Sequence, residues 1–127
     1  MTFKELGLNA RLVARLEGRG LTDPTPIQAK AIPRALEGRD ILGIAQTGTG
    51  KTAAFGIPLV MALSKRREKA EPNSTSGLIL APTRELANQI VENLLGLTSD
   101  LRIVLVVGGM SINAQSLKLS LGADILV

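Results

Sequence analysis

Apolar and polar positions along the chain fall into alternating short blocks of two periods. After a short lead containing Phe3, the stretch from Asn9 to Glu17 places Leu12, Val13 and Leu16 at helical spacing, and Gly18 and Gly20 end it. Thr25-Pro26 opens a second helix, with Thr25 as N-cap and Pro26 at the first helical position, where its missing N–H costs nothing. That helix is expected to run to about Leu36 and stop at Gly38. Asp40 to Ala45 is an apolar run bounded by charge and glycine and reads as a buried strand. Gln46 to Gly50 is a glycine-rich turn, and Lys51 to about Ser64 is a helix apolar nearly all round, so a buried one. Pro58 should kink it or delay its start.

The second half repeats the alternation. Residues 65 to 77 (KRREKAEPNSTSG) form a polar surface loop, followed by a strand at Leu78 to Ala81 that Pro82 breaks. A helix begins near Thr83 and carries Leu86, Ile90 and Leu94 on one stripe. Arg102 to Val107 reads as a third strand ended by Gly108-Gly109. Ser111 caps a further helix to about Leu121, and Ala123 to Val127 starts a fourth strand. Strands alternating with helices predict an α/β fold: a parallel sheet, joined by right-handed crossovers, with helices on both faces. No internal repeat or dividing linker is visible.

Composition narrows the picture. The chain has 127 residues, 45% hydrophobic and 20% charged, enough for a packed core. Phe3 and Phe55 are its only aromatics, so that core is aliphatic. A net charge of +4 is compatible with a phosphate-bearing partner without demanding one. With no cysteine and no histidine, the chain has no disulfide, no thiolate metal site and no imidazole base. No apolar run approaches the roughly 18 residues a membrane span requires, and the N-terminus is too polar for a signal peptide. A soluble, cytoplasmic protein without a membrane partner is the expectation.

The chemistry is concentrated in Ala45-Gln46-Thr47-Gly48-Thr49-Gly50-Lys51-Thr52. A loop between strand and helix can wrap a polyphosphate with its backbone N–H groups, and glycines at 48 and 50 permit the curvature. Lys51 supplies a point charge for the β- and γ-phosphates, and the Thr52 hydroxyl is placed to ligate Mg²⁺. The N-terminus of the following helix adds its positive dipole end. The pattern G-x-x-x-x-G-K-[ST] is matched except at its first position, Ala45. The plain alternative is a glycine-rich turn that happens to precede a lysine, but the strand-before, helix-after context favours the cradle.

Four ordered features resemble the DEAD-box family of RNA helicases. Pro24-Thr25-Pro26-Ile27-Gln28, with Phe3 upstream, is similar to the family's Q motif, in which the glutamine amide reads adenine and the aromatic packs on the base. The family usually has an aromatic where Leu21 stands. Thr25 and Gln28 are equally a capping box, and Phe3 alone would be assigned to core packing. The cradle, Ala45 to Thr52, follows the family's wording. Pro82-Thr83-Arg84-Glu85-Leu86-Ala87 is similar to motif Ia, which contacts the RNA backbone, although Thr83 could equally cap its helix and Glu85 suit the first turn. Gly108-Gly109 resembles the GG element, where backbone amides approach RNA, and a glycine pair is also a common turn. The close, Gly122 to Val127, is like the strand that leads into the family's Thr-Pro-Gly-Arg element.

The resemblance implies a partial RecA-like domain, with residues 1–38 as the Q-motif region and 39–127 as the first part of the ATP-binding domain. It also implies an RNA-dependent ATPase that uses ATP and Mg²⁺. A second RecA-like domain closes over ATP and bends single-stranded RNA, held through its backbone with little sequence preference. The Asp-Glu-Ala-Asp sequence and the Ser-Ala-Thr element are absent from these residues, so hydrolysis residues are not assigned and turnover by this segment alone is expected to be negligible. These residues are expected to be part of a longer protein. A non-catalytic binding module and another P-loop enzyme, such as a DNA translocase or nucleotide kinase, are the competing readings. The basic residues Lys65, Arg66, Arg67 and Lys69 suit a solvated loop better than an RNA contact.

Overall fold

A computed structural model describes residues 1–66 and 69–127, so the expectation for Arg67 lies outside the described residues. The residues group into two compact units, Met1–Ala62 and Leu63–Val127.

The first unit is helical. A 3₁₀ turn at Lys4–Leu6 closes on Gly7, whose φ of 101° is open to glycine. Helix α1, Ala10–Gly18, begins where the Asn9 side chain accepts from the Leu12 N–H, and α2 spans Pro26–Leu36 behind Thr25. Both match the sequence periodicity. Leu12 and Leu16 of α1 and Ile32 of α2 are buried, as is Phe3 in the lead. The α2 helix ends at Glu37, followed by Gly38 with φ 82°.

Helix α3, Lys51–Ser64, starts at the expected residue and continues through Pro58. Its Ala54, Ile57, Val60 and Met61 are buried, while Phe55 stays exposed on the other side. The expected strand at Asp40 to Ala45 does not form. An apolar run becomes a strand only by pairing its backbone, and these residues join no ladder among the described residues. Their side chains show the same thing: Ile41 is 43% exposed, Leu42 89% and Ile44 85%.

The second unit holds a three-stranded parallel sheet in the order β1-β3-β2, with β1 at Thr75–Leu78, β2 at Ile103–Val104 and β3 at Ala123–Leu126. Helices α4, Arg84–Leu97, and α5, Ile112–Ser120, connect them. Gly77 pairs with Ile125, and Ile103 pairs with Ile125 from the other side, so β3 is central and fully buried at Ala123 and Ile125. The first strand therefore begins three residues before the expected Leu78 and leaves Ile79 to Ala81 outside the ladder assignment, although Ile79 N–H still donates to Leu126 O. The second is two residues long instead of six, with Val106 N–H reaching Val127 O past its end. The α4 stripe buries Ala87, Ile90, Leu94 and Leu97, and it contacts β2.

A polar knot fixes this sheet. The Asp124 carboxylate accepts from Ala70 N–H (3.2 Å) and from Arg102 N–H (2.8 Å). Arg102 in turn donates from Nε to Gly122 O and from Nη2 to Lys118 O, satisfying carbonyls at the end of α5.

Candidate functional site: a glycine-rich loop and a glycine-pair turn

In the first unit, the loop Gln46–Gly50 turns sharply into α3. Gly48 and Gly50 have φ of 82° and 86°, a region that side-chain-bearing residues rarely enter. The Thr49 hydroxyl donates to Gln46 O across the turn, and Ala54 N–H donates to Gly50 O as the first helical bond. Ala45 is half-buried, Gln46, Thr47 and Gly48 are exposed, and Thr49 is half-buried. Lys51 is exposed at the first turn of α3, beside Thr52. Its side chain borders a cavity of about 390 Å³ that Ile27, Arg39 and Phe55 also line. Loop curvature and helix start meet at one place with Lys51 as the first helical residue, an arrangement suited to a polyphosphate. Among the described residues no cluster of acidic side chains could hold a metal by itself. The donor set present, one threonine hydroxyl beside a phosphate loop, suits Mg²⁺ carried in with a nucleotide.

Gln28 is tied to this loop. It is only 7% exposed, and its Oε1 accepts from Thr25 N–H at 3.0 Å. This is the reciprocal side-chain half of the capping box. Its Nε2 then donates to Gly50 O at 3.1 Å. A Cβ on Gly50 would run into that nitrogen and displace the Gln28 amide, and the φ of 86° favours glycine there. Thr25 Oγ1 is buried beside the same glycine and has no hydrogen-bond partner. A carboxamide has two N–H donors and two lone pairs, so these bonds leave one of each uncommitted. The Gln28 half of the capping box and the loop contact coexist, while the Thr25 hydroxyl half is not made. Phe3 is 3% exposed, as the core-packing alternative expects.

In the second unit, Pro82, Thr83, Arg84 and Gly108 line one cavity of about 250 Å³ at the ends of β1 and β2. Thr83 caps α4, its Oγ1 accepting from Leu86 N–H at 3.1 Å, and Glu85 sits in the first turn. The cap role expected as an alternative for Thr83 is therefore real. Arg84 is exposed, and its Nη1 lies 3.0 Å from where a Cβ on Gly109 would stand. Gly109 has φ of 80°. Gly109 thus makes room for the guanidinium, and the structure brings the four motif residues and the second glycine together. A helix N-terminus, an arginine and an exposed glycine turn are suited to a phosphodiester backbone. Sequence reading missed Gln115 here. Its Oε1 accepts from Val107 N–H at 2.7 Å, and only the three-dimensional turn reveals that.

The family model for DEAD/DEAH box helicases matches residues 25–127. The chain is 48% identical over 99% of its length to the ATP-dependent rRNA helicase rrp3 of Emericella nidulans, of which it covers 26%. It is 47% identical over 99% of its length to the DEAD-box ATP-dependent RNA helicase CshA of Bacillus cereus, of which it covers 23%. It therefore spans about a quarter of the length of these relatives. Among solved structures it is similar to the RNA helicase Prp28 from Chaetomium thermophilum bound to ADP, with a TM-score of 0.87, 42% identity, and coverage of 98% of this chain and 31% of that one. A DEAD box protein from Methanococcus jannaschii gives a TM-score of 0.84 at 36% identity, covering 100% of this chain and 34% of its own.

Proposed function

The chain belongs to the DEAD/DEAH box helicase family, with the α/β fold of that family's RecA-like domains, and from that premise we propose that it is the nucleotide-binding front of an ATP-dependent RNA helicase. The observation that carries the reading is the loop Gln46–Gly50, held at positive φ by two glycines and delivering Lys51 to the start of α3. Main-chain N–H groups of residues 46–52 hold the phosphates, Lys51 neutralises their outer charge, and the Thr52 hydroxyl takes part in holding Mg²⁺. Bound Mg²⁺ supplies charge neutralisation for phosphoryl transfer. Gln28, with one donor and one acceptor left, reads the adenine edge. The ADP bound to the Prp28 relative is in keeping with this choice of base.

RNA is taken through its backbone at Pro82, Thr83, Arg84, Gly108 and Gly109, with little sequence preference. Hydrolytic carboxylates in the remainder of this RecA-like domain, together with a second RecA-like domain, complete the motor in the whole protein. Its setting is soluble and cytoplasmic, which fractionation of cells tests. Among the described residues no helix is long and apolar enough to cross a membrane.

Calorimetric titration tests the phosphate loop. Lys51→Ala is expected to weaken ATP binding by about a hundredfold, the order lost with a charge-assisted contact to phosphate. An unchanged dissociation constant sinks the assignment of Lys51.

A further inference from the structure

Helix α5 is attached to its unit in an unusual way. It is nine residues long, none of them buried, so neither its length nor an apolar face accounts for its order. Two side-chain clamps hold it. Arg102 grips its C-terminal end at Lys118 O and Gly122 O. Gln115, one turn from the N-cap Ser111, reaches back and accepts the Val107 N–H at 2.7 Å.

Val107 is the residue immediately before the Gly108-Gly109 turn, and the preceding pairing ends with Val106 N–H on Val127 O. The Gln115 bond is therefore the last fixed point before two glycines, the residues with the greatest backbone freedom to lose. Beyond them the chain is next held at Ser111, whose Oγ accepts from Ala114 N–H. Arg84 lies against Gly109 from the other side.

We propose that Gln115 is a positioning residue for RNA binding: its carboxamide oxygen, by holding Val107 N–H, sets the Gly108-Gly109 turn at the height where its amides and Arg84 meet the same RNA backbone. The inference rests on the reading of that turn as an RNA contact. Gln115 itself does not touch RNA; it lowers the entropy that the glycine turn must lose when RNA binds.

Three variants of the protein test this, each measured for affinity to a single-stranded oligonucleotide and for hydrogen exchange at the Val107 amide. Gln115→Met keeps the side chain's length and removes the acceptor. It is expected to lose protection at Val107 and to weaken RNA binding roughly threefold to tenfold, the change one part-buried hydrogen bond corresponds to. ATP affinity stays unchanged. Gln115→Glu keeps an acceptor for Val107 N–H and is expected to retain protection and, at elevated salt where its added charge is screened, most of the RNA affinity. Arg84→Ala tests the underlying reading and is expected to weaken RNA binding. Should Arg84→Ala weaken binding while Gln115→Met leaves it intact, the positioning role is overturned and the RNA reading survives. If Arg84→Ala has no effect either, the RNA reading itself fails. A Gln115→Glu protein that keeps Val107 protected yet loses RNA at elevated salt also overturns the proposal, because Gln115 would then be a direct ligand.

Discussion

Gln28 serves a helix and a loop at once, and under the proposed function a ligand as well. Its oxygen closes the start of α2 on Thr25, and its nitrogen holds Gly50 O at the mouth of the phosphate loop. A residue that only read the base would affect ATP and leave base-free polyphosphate alone. The Gly50 bond changes that expectation. Gln28→Ala removes the bond and leaves a carbonyl at the loop less restrained, so it is expected to weaken inorganic tripolyphosphate binding by about threefold to tenfold as well as erase any preference for ATP over GTP. Competition titrations with the three ligands check this, and tripolyphosphate affinity indifferent to the substitution counts against the tether. The sequence carried half of this. Thr25-x-x-Gln28 is legible as a capping box and, by family resemblance, as a base reader. The contact to Gly50, 22 residues away, leaves no local trace, because side-chain reach across a fold is not encoded in spacing.

At the scale of elements, the helices were read well and the strands poorly, for one physical reason. Helical hydrogen bonds are local, so the cap at Asn9, the Thr25-Pro26 start and the Thr83 cap can all be read from neighbouring residues. A strand depends on a distant partner. Ile41, Leu42 and Ile44 have strand composition, yet find no ladder among the described residues, and β1 takes Thr75 to Leu78 because β3 offers Ala123 to Leu126 opposite. What sets β3 in place is the knot of Asp124, Arg102 and Gly122, and here a glycine is decisive. Gly122 has φ of 83°, and a Cβ there would stand 2.5 Å from Glu71 O and 2.7 Å from Ala70 O. Those are backbone atoms that cannot swing away. Gly122→Ala is therefore expected to destabilise the protein by about 2–4 kcal/mol, combining backbone strain with overpacking. Denaturant unfolding measures it, and a change under about 0.5 kcal/mol, the range of an ordinary surface substitution, contradicts the knot's importance.

For the whole molecule, charge and the exposed sites decide the behaviour toward nucleic acid. A net charge of +4 is modest, and the proposed function assigns the RNA grip to placed groups, Arg84 and the turn at Gly108-Gly109. Single-strand binding then falls with salt, and Arg84→Ala is expected to reduce the slope of log affinity against log salt by about 0.7, one phosphate's worth. A slope that does not move removes Arg84 from the phosphate contacts. The turn's glycines were legible in the sequence, while Gln115 was not, since a polar residue on a short exposed helix carries no pattern of its own.

In the proposed function backbone amides of residues 46–52 close on the phosphates, and amide chemical shifts report that directly. On titration with ATP and Mg²⁺, the amide signals of Gly48, Gly50 and Lys51 are predicted to move more than any others in the chain, as their N–H groups acquire charged acceptors. Saturation of the protein with nucleotide while those three signals stay in place, and the largest movements fall elsewhere, would contradict it.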